Sequence, residues 1–159
     1  MEKEYKRLIK GIKAYFKKSG FRKAVVGVSG GVDSALSLKL VADALGKGNV
    51  TGLLMPEKRL TKKVNVDDGV ALCKKLGVKH HIAPINEFLI AYSSLPWKGS
   101  SIAEMNVRSR IRAVILYYYA NTHSALVIGT SNKTEMELGY FTKYGDGAID
   151  VEVIGSLYK

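Results

Sequence analysis

The residues of this chain that are best suited to chemistry form one short stretch, Gly-Val-Ser-Gly-Gly-Val-Asp-Ser, at positions 27–34. An apolar run at positions 24–28 leads into it and is typical of a short buried strand. The residues at positions 35–42 follow it with the spacing of a packed helix. A turn from a strand into a helix leaves several backbone N–H groups unpaired at the positive end of the helix dipole. The stretch is therefore predicted to bind an anion, and phosphate is the usual occupant of such a turn.

The two most familiar glycine motifs do not describe this stretch. A Walker loop ends in Gly-Lys-Ser/Thr, and no lysine follows Gly31. The dinucleotide pattern G-x-G-x-x-G also fails, because Val32, Asp33 and Ser34 follow the two adjacent glycines. The simple alternative is a tight turn made of small residues.

The run Ser-Gly-Gly-Val-Asp-Ser, at positions 29–34, resembles the pyrophosphate loop of the N-type ATP pyrophosphatases. Enzymes of that superfamily cleave ATP between its α- and β-phosphates and hold the departing pyrophosphate in this loop. The match lies between a predicted strand and a predicted helix, which argues against a plain tight turn. The resemblance implies a fold of the adenine nucleotide alpha-hydrolase type.

Strands and helices alternate along the chain, which is the pattern of a parallel sheet covered by helices on both faces. Strands are predicted at positions 24–28, 50–55, 79–83, 125–129 and 151–154. Helices are predicted at positions 5–16, 35–45, 66–76, 86–92 and 101–122. Asn65 is the expected cap of the third helix, and Ser101 with Glu104 is the expected capping box of the last. The predicted fold class is a Rossmann-like, three-layer α/β/α domain.

The usual strand order of such a sheet, 3-2-1-4-5, makes the first and fourth strands neighbours at the switch point. Ligands bind at that point, beyond the carboxyl ends of the strands. The glycine loop after the first strand should then face Thr130, which follows the fourth strand. Two segments that are far apart in sequence are thus expected to form one site.

Length and composition indicate a single domain. The chain has 159 residues, 47% of them hydrophobic, and no apolar run is long enough to cross a membrane. No signal peptide is recognisable at its start, so a cytoplasmic location is expected. The single cysteine, Cys73, lies in an amphipathic pattern and is expected to be buried rather than catalytic. His80 and His81 would point to opposite faces of a strand and His123 is isolated, so no histidine is expected to bind a metal.

The formal net charge of +11 has three candidate explanations. Solubility ranks first, because most lysines fall on solvated helix faces. Phosphate-rich ligands rank second. Nucleic acid ranks third, because no basic run alternates with aromatic residues. Neither a nucleic-acid partner nor a membrane is therefore expected.

A second segment narrows the resemblance. Gly-Thr-Ser-Asn-Lys-Thr-Glu at positions 129–135 and Gly-Tyr-Phe-Thr-Lys-Tyr-Gly-Asp-Gly at positions 139–147 closely resemble the ammonia-dependent NAD synthetases. The similarity extends to Leu-Met-Pro at positions 54–56 and Asn-Val-Arg-Ser-Arg at positions 106–110, so it spans nearly the whole chain. The run at positions 141–146 argues against other ligases with the same loop, such as GMP synthetases and tRNA-modifying adenylating enzymes.

The resemblance implies a ligase that forms a carbon–nitrogen bond. In that reaction the nicotinate carboxylate of deamido-NAD attacks the α-phosphate of ATP and pyrophosphate leaves. Ammonia then displaces AMP from the resulting adenylate. Free ammonia is the expected nitrogen donor, because the chain has no room for a glutaminase domain. No covalent enzyme nucleophile is needed, so catalysis is expected to rest on Mg²⁺, positioning and electrostatics.

The resemblance also assigns individual residues. The implied ATP-binding residues are Gly27, Val28, Ser29, Gly30, Gly31, Val32, Asp33, Ser34, Thr130 and Lys159. The residues implied to bind deamido-NAD are Arg110, Lys143 and Asp150, and those implied to hold Mg²⁺ are Asp33 and Glu135. Taken singly, Arg110 is better explained as a solvated helix residue, Lys143 as a loop charge and Asp150 as a strand-end cap. Their joint match to the motif favours the substrate-binding interpretation.

Members of the resembled family usually form homodimers and continue well beyond position 159. Positions 1–159 are therefore expected to form the single ATP-pyrophosphatase domain of a longer enzyme. The alternative outside the ligases is a non-catalytic module that binds ATP or nucleic acid. Binding of a nucleic-acid probe that weakens steeply with salt would favour that alternative.

Overall fold

The computed structural model of the chain describes residues 2–159, which form one five-stranded parallel sheet and six α-helices. The strands are β1 (Lys23–Gly27), β2 (Val50–Leu54), β3 (Lys79–Ile82), β4 (Ala125–Gly129) and β5 (Val151–Glu152). The helices are α1 (Glu2–Ser19), α2 (Val32–Leu45), α3 (Lys63–Leu76), α4 (Asn86–Ser93), α5 (Ser101–His123) and α6 (Lys133–Leu138). The predicted α/β class is confirmed.

The strand order across the sheet is β3-β2-β1-β4-β5, which confirms the predicted topology. β1 lies at the centre, where Gly27 is opposite Leu53 of β2 and Val26 is opposite Ile128 of β4. Because all the strands are parallel, the carboxyl ends of β1 and β4 meet at the same edge of the sheet. The glycine loop and Thr130 leave the sheet at this edge.

Helices cover both faces of the sheet, and neighbouring residues of β1 separate the two layers. Val26 packs into a core that includes buried side chains of α1, α2 and α3. Val25 packs on the opposite face, with Ile111 and Ala120 of α5. Successive side chains of a strand point to opposite faces, so a continuous apolar strand such as β1 needs cover on both sides. This burial fixes β1, and the loop that follows it, at the centre of the domain.

Two predicted helix caps are wrong. α3 begins at Lys63 with Lys62 as its N-cap, so Asn65 lies inside the helix instead of capping it. The backbone of Asn65 packs against the glycine loop, and a local sequence pattern does not contain that tertiary contact. The N-cap of α5 is Ser100, whose Oγ accepts a hydrogen bond of 3.2 Å from the N–H of Ala103. Either serine of the Ser100–Ser101 pair can cap, and the extended backbone at Ser100 selects the first.

The segment after β4 also differs from the prediction. No helix is predicted between positions 129 and 151, but the segment contains the short helix α6. β5 is shorter than predicted and ends at Glu152. Among residues 2–159, no helix combines the length and the hydropathy that a membrane span requires.

Candidate functional site

The glycine loop connects β1 to α2, and the hydroxyl of Ser34 holds its shape. Ser34 Oγ donates to the carbonyl oxygen of Gly31 at 3.0 Å and accepts from the backbone N–H of Ser29 at 3.2 Å. Ser29 Oγ lies 3.0 Å from Ser34 Oγ and accepts from the N–H of Gly31 at 3.2 Å. Because these bonds use the single proton of Ser34 Oγ, Ser29 must donate to it. The two serines therefore close the loop on itself.

Gly30 gives the loop a backbone conformation that other residues rarely adopt. Its φ is +84°, in the left-handed region. A Cβ atom at this position would lie 2.9 Å from the backbone carbonyl carbon of Asn65 and would overlap the carbonyl oxygen of that residue. Glycine is thus required here by both the backbone angle and the close approach of α3.

The N-terminus of α2 faces the loop without a side-chain cap. The N-cap residue is Gly31, which has no side chain that could accept from the first helical turn. The backbone N–H groups of that turn and the positive end of the helix dipole are therefore available to an anion. This geometry is the one expected of a phosphate loop.

Five of the ten residues predicted to bind ATP, and both predicted magnesium ligands, line one pocket beside this helix end. This pocket of about 200 Å³ is called the phosphate pocket below, after its expected ligand. The lining residues are Ser29, Gly31, Asp33, Ser34, Thr130, Ser131, Glu135, Tyr140 and Asp146. The structure thus brings together two segments that lie far apart in sequence, as the switch-point argument predicts.

A capping box at the start of α6 orients Glu135. The backbone N–H of Asn132 donates to Glu135 Oε2 at 3.1 Å, and the N–H of Glu135 donates to Asn132 Oδ1 at 3.0 Å. Asn132 is buried, so the residues packed around it hold the capping box in place. One carboxylate oxygen of Glu135 is used in this way, and Glu135 lines the pocket.

Lys159 also contacts residues beside this pocket, although it is far from them in sequence. Its Nζ lies 3.0 Å from Asp33 Oδ2, and the hydrogen bond to this carboxylate raises the pKa of the lysine. Its backbone N–H donates to Thr134 Oγ1 at 3.3 Å. Lys159 therefore lies beside the glycine loop, and its contact with ATP stays a prediction.

A larger cavity of about 750 Å³ adjoins the loop at the ends of β1, β2 and β4. Its wall is apolar where Val28, Leu54 and Ile128 line it. α5 supplies polar groups, among them Arg112, whose Nε donates to the carbonyl oxygen of Met55 at 3.0 Å. Burial lowers the pKa of this guanidinium. The volume falls within the range of small-molecule sites.

The segment between β2 and α3 is fastened over this cavity by an ion pair that sequence analysis did not identify. Arg108 donates to both carboxylate oxygens of Glu57, from Nε at 2.7 Å and from a terminal nitrogen at 3.2 Å. The pair is partly buried, and it raises the pKa of Arg108. Arg108 belonged to a quoted motif, but nothing local to either residue indicates this partner.

Asp146 is a second site residue to which sequence analysis gave no role. It lines both cavities, and its Oδ1 accepts from Ser109 Oγ at 2.7 Å and from the N–H of Thr142 at 2.9 Å. The sequence did contain a signal for Asp146, because this residue lies inside the motif at positions 139–147. Its place between the two cavities is visible only in three dimensions.

Among the described residues, none of the three that are expected to bind deamido-NAD lines either cavity. Arg110 and Lys143 are in contact, since Arg110 Nε donates to the carbonyl oxygen of Lys143 at 3.2 Å. Asp150 is used elsewhere: its Oδ1 accepts from Tyr117 at 3.0 Å and its Oδ2 from the N–H of Val127 at 2.8 Å. Burial and this carboxylate raise the pKa of Tyr117 to about 12. These bonds are those of a strand-end cap, and a substrate role for Asp150 stays a prediction.

Histidines and other metal ligands do not cluster in the described part of the chain. No group of three or more His, Cys, Asp or Glu side chains among residues 2–159 could hold a metal ion. His81 and His123 instead flank the ring of Tyr119, at centroid distances of 5.9 and 4.0 Å. A cation at the phosphate pocket would depend on a bound ligand for part of its coordination.

Glu152 is a half-buried acid next to the pocket, and its ionisation should lower stability. Burial, the largest effect, raises its pKa from 4.5 to about 7, although three backbone N–H groups act in the opposite direction. In unfolded chains this carboxyl ionises at lower pH, so stability should fall as pH rises from about 4.5 to 7. With a discount for partial solvent access, the loss should be roughly 1–3 kcal/mol.

We therefore expect Glu152→Gln to unfold at a higher temperature than the parent chain at pH 8, by roughly 3–8 °C, and at a similar temperature near pH 4.5. Thermal melts at the two pH values measure the difference. Glu87→Gln is the matched control, because Glu87 is exposed on α4. A stability gain for Glu152→Gln that is equal at both pH values would contradict the ionisation argument.

Comparison with known proteins identifies the family of the chain. The profile of the NAD synthase family matches residues 4–159. An NH3-dependent NAD+ synthetase of Staphylothermus marinus is 43% identical over 99% of this chain and 58% of its own length. The chain spans about three fifths of the length of the curated relatives it matches.

Two solved structures of NAD synthetases are similar to almost the whole of this chain. An NH3-dependent NAD synthetase from Campylobacter jejuni superposes with a TM-score of 0.93 and 39% identity, over 99% of this chain and 68% of the other. A glutamine-dependent NAD+ synthetase from Acinetobacter baumannii in complex with ADP gives a TM-score of 0.93 and 31% identity, over 98% of this chain and 30% of the other.

Proposed function

The chain belongs to the NAD synthase family, and we propose that it carries out the ATP-dependent amidation of deamido-NAD by ammonia. The observation that carries this proposal is the convergence of the glycine loop, Thr130, Asp33 and Glu135 on one small pocket beside a larger cavity. Such a pair of compartments suits the phosphates and the nucleoside of one nucleotide. A relative with the same fold was solved with ADP bound.

In the proposed reaction the carboxylate oxygen of deamido-NAD attacks the α-phosphorus of ATP. The bond from that phosphorus to the oxygen that bridges it to the β-phosphate breaks, and pyrophosphate leaves. Ammonia then attacks the acyl carbon, AMP departs with its oxygen, and the nitrogen loses a proton. The uncapped end of α2 would receive the pyrophosphate, because its N–H groups and dipole favour added negative charge.

The residues present fit a magnesium ion brought in with the phosphates. Asp33 and Glu135 line the same pocket, and each has one carboxylate oxygen committed to a protein donor. Mg²⁺ in nucleotide enzymes is typically held by one or two carboxylates plus substrate phosphates and waters. When bound, the ion would supply positive charge that stabilises the departing pyrophosphate.

The protein's own contribution would be to position groups rather than to react with them. Gly30 and Ser34 fix the loop, the capping box holds Glu135, and the Glu57–Arg108 pair fastens the segment over the cavity. Holding two reactants in line can lower a barrier by several kcal/mol, about 7 or more in favourable cases. No enzyme nucleophile is required by this scheme.

The test of the proposed function is an incubation of the chain with ATP, Mg²⁺, ammonium and deamido-NAD. NAD, AMP and pyrophosphate should form in equal amounts. Another ligase with the same loop would leave deamido-NAD unchanged, and a Walker-type enzyme would give ADP and phosphate. ADP that accumulates in step with NAD would contradict the proposal.

Arg110→Ala should raise the KM for deamido-NAD by about tenfold or more while ATP affinity stays within twofold, because a charge-assisted contact contributes about 1.5–3 kcal/mol. Arg110 lies on α5 and contacts Lys143, away from the phosphate pocket. Steady-state kinetics and ATP titration separate the two effects.

Arg22→Ala is the matched control for this test, because Arg22 is exposed and precedes β1 at the opposite end of the sheet. If Arg110→Ala lowered the affinity for ATP as much as it raised the KM for deamido-NAD, a specific contact between Arg110 and deamido-NAD would be contradicted.

We extend the proposal to a cytoplasmic homodimer that does not bind nucleic acid. Val114 and Tyr118, which are exposed and lie one turn apart on α5, offer an apolar surface for a second copy. Sedimentation at several concentrations measures the association. A monomer at all concentrations would contradict the dimer, and salt-sensitive RNA or DNA binding would favour the alternative of a nucleic-acid-binding module.

A further inference from the structure

We infer that Glu152 is a positioning residue for the phosphate pocket: its carboxyl fixes the turn after β4 that carries Thr130 and Glu135. The inference rests on the proposed function, because it concerns the geometry of that same pocket. Sequence analysis gave Glu152 no role, and the residue does not line either cavity in the described part of the chain.

The carboxyl of Glu152 is in direct contact with this turn. Its Oε2 accepts a hydrogen bond of 3.2 Å from the backbone N–H of Ser131, the residue between Thr130 and Asn132. A Cβ atom on Gly129 would overlap Oε2 and would lie 2.8 Å from the carboxyl carbon. The carboxyl therefore packs on the backbone of Gly129 and fixes the N–H of Ser131.

The other side of the same side chain meets the segment that leads to Lys159. A Cβ atom on Gly155 would lie 2.8 Å from Glu152 Cγ and 2.9 Å from the sulfur of Met136 in α6. Glu152 thus fills the space between the end of β4, α6 and the segment after β5. Two glycines make room for it.

Further bonds join these segments to one another. The N–H of Lys133 donates to the carbonyl oxygen of Leu157 at 2.8 Å, and the N–H of Lys159 donates to Thr134 Oγ1 at 3.3 Å. A shift of the turn after β4 would consequently move Lys159 as well as Thr130 and Glu135. All three are expected contacts of ATP or its cation.

A residue that only filled space would not need a carboxyl at this position. Oε1 of Glu152 is buried and has no hydrogen-bond partner among residues 2–159, which is unfavourable for a polar atom. An apolar side chain would avoid that penalty but would leave the N–H of Ser131 without this acceptor. The carboxyl is therefore best explained by the backbone N–H groups around it: that of Ser131 belongs to the turn, and those of Val153 and Ile154 follow β5.

The test compares Glu152→Gln, which keeps an acceptor oxygen, with Glu152→Leu, which removes it. Calorimetry with Mg·ATP should give a dissociation constant within about twofold of the parent value for Glu152→Gln. For Glu152→Leu the dissociation constant should be about tenfold higher, because even a small misplacement of binding groups weakens binding. Amide hydrogen exchange without ligand should show faster exchange at Ser131 in the Leu variant alone. Glu87→Leu on α4 is the control.

The possible results separate the inference from the proposed function. A parent chain that does not bind Mg·ATP would overturn the proposed function, and unchanged exchange at Ser131 in Glu152→Leu would overturn the positioning role independently. If Glu152→Leu melts at a lower temperature but binds Mg·ATP as the parent does, Glu152 is a structural residue only. Equal weakening by Gln and Leu would also contradict a role that depends on the acceptor oxygen.

Discussion

Asp33→Asn should weaken the binding of Mg·ATP on the order of 100-fold while the chain stays folded. Asp33 lines the pocket at the end of α2, and the same pocket is lined by Glu135 from the turn after β4. Two carboxylates that line one pocket are suited to hold a shared cation together with the phosphates of ATP. Lys159 Nζ also lies 3.0 Å from Asp33 Oδ2, so the lysine that is expected to contact ATP and the proposed cation would share this carboxylate.

Glu135→Gln should have a similar effect for the same reason. Glutamine can still accept from the N–H of Asn132, so the capping box and the fold should survive. Calorimetric titration with ATP, with and without Mg²⁺, measures the change. Asp68→Asn, at an exposed position of α3, is the control. If either pocket variant keeps the parent's magnesium dependence, the shared cation site is wrong.

Gly30→Ala should abolish most ATP binding and also lower stability. Alanine at φ +84° costs about 1–2 kcal/mol, and its Cβ would collide with the backbone of Asn65. The loop can relieve that collision only by moving away from α3, which would displace the N–H groups that are proposed to bind the phosphates of ATP. We expect a loss of ATP affinity on the order of 100-fold, together with a melting temperature lower by several degrees.

Gly11→Ala is the matched control for this substitution. Gly11 lies in the middle of α1, and a Cβ atom there would meet nothing within 4 Å. Alanine should stabilise that helix by about 0.5–1 kcal/mol and leave ATP binding unchanged. Gly30→Ala with parental ATP affinity would show that the loop conformation is not needed for the nucleotide.

The parts of the fold that follow from periodicity were predictable. β1 and β4 are continuous apolar runs that must be covered on both faces, and that requirement gives both the parallel sheet and its helical layers. The positions of the glycine loop and of Thr130 at one edge then follow from the strand order. α6 was missed because six residues are too few for a periodic pattern, although the Asn132–Glu135 spacing of its capping box was legible.

The details of the site that were not predictable depend on contacts between distant segments. Glu57 and Arg108 lie 51 positions apart, and either would be ordinary on a solvated surface. Asp150 could be assigned to a substrate by its motif, yet its oxygens accept from Tyr117 and Val127. Charged side chains have no periodic signature that names their partners, so only the folded chain reveals such pairs.

The most direct test of the proposed chemistry follows the oxygen atoms of the nicotinate carboxylate. Deamido-NAD with both carboxylate oxygens labelled as 18O is incubated with the chain, ATP, Mg²⁺ and ammonium. Mass spectrometry then measures the 18O content of each product. Attack on the α-phosphate predicts one 18O atom in AMP, one in the amide of NAD and none in pyrophosphate. AMP without the label, or 18O in inorganic phosphate beside ADP, would contradict the account.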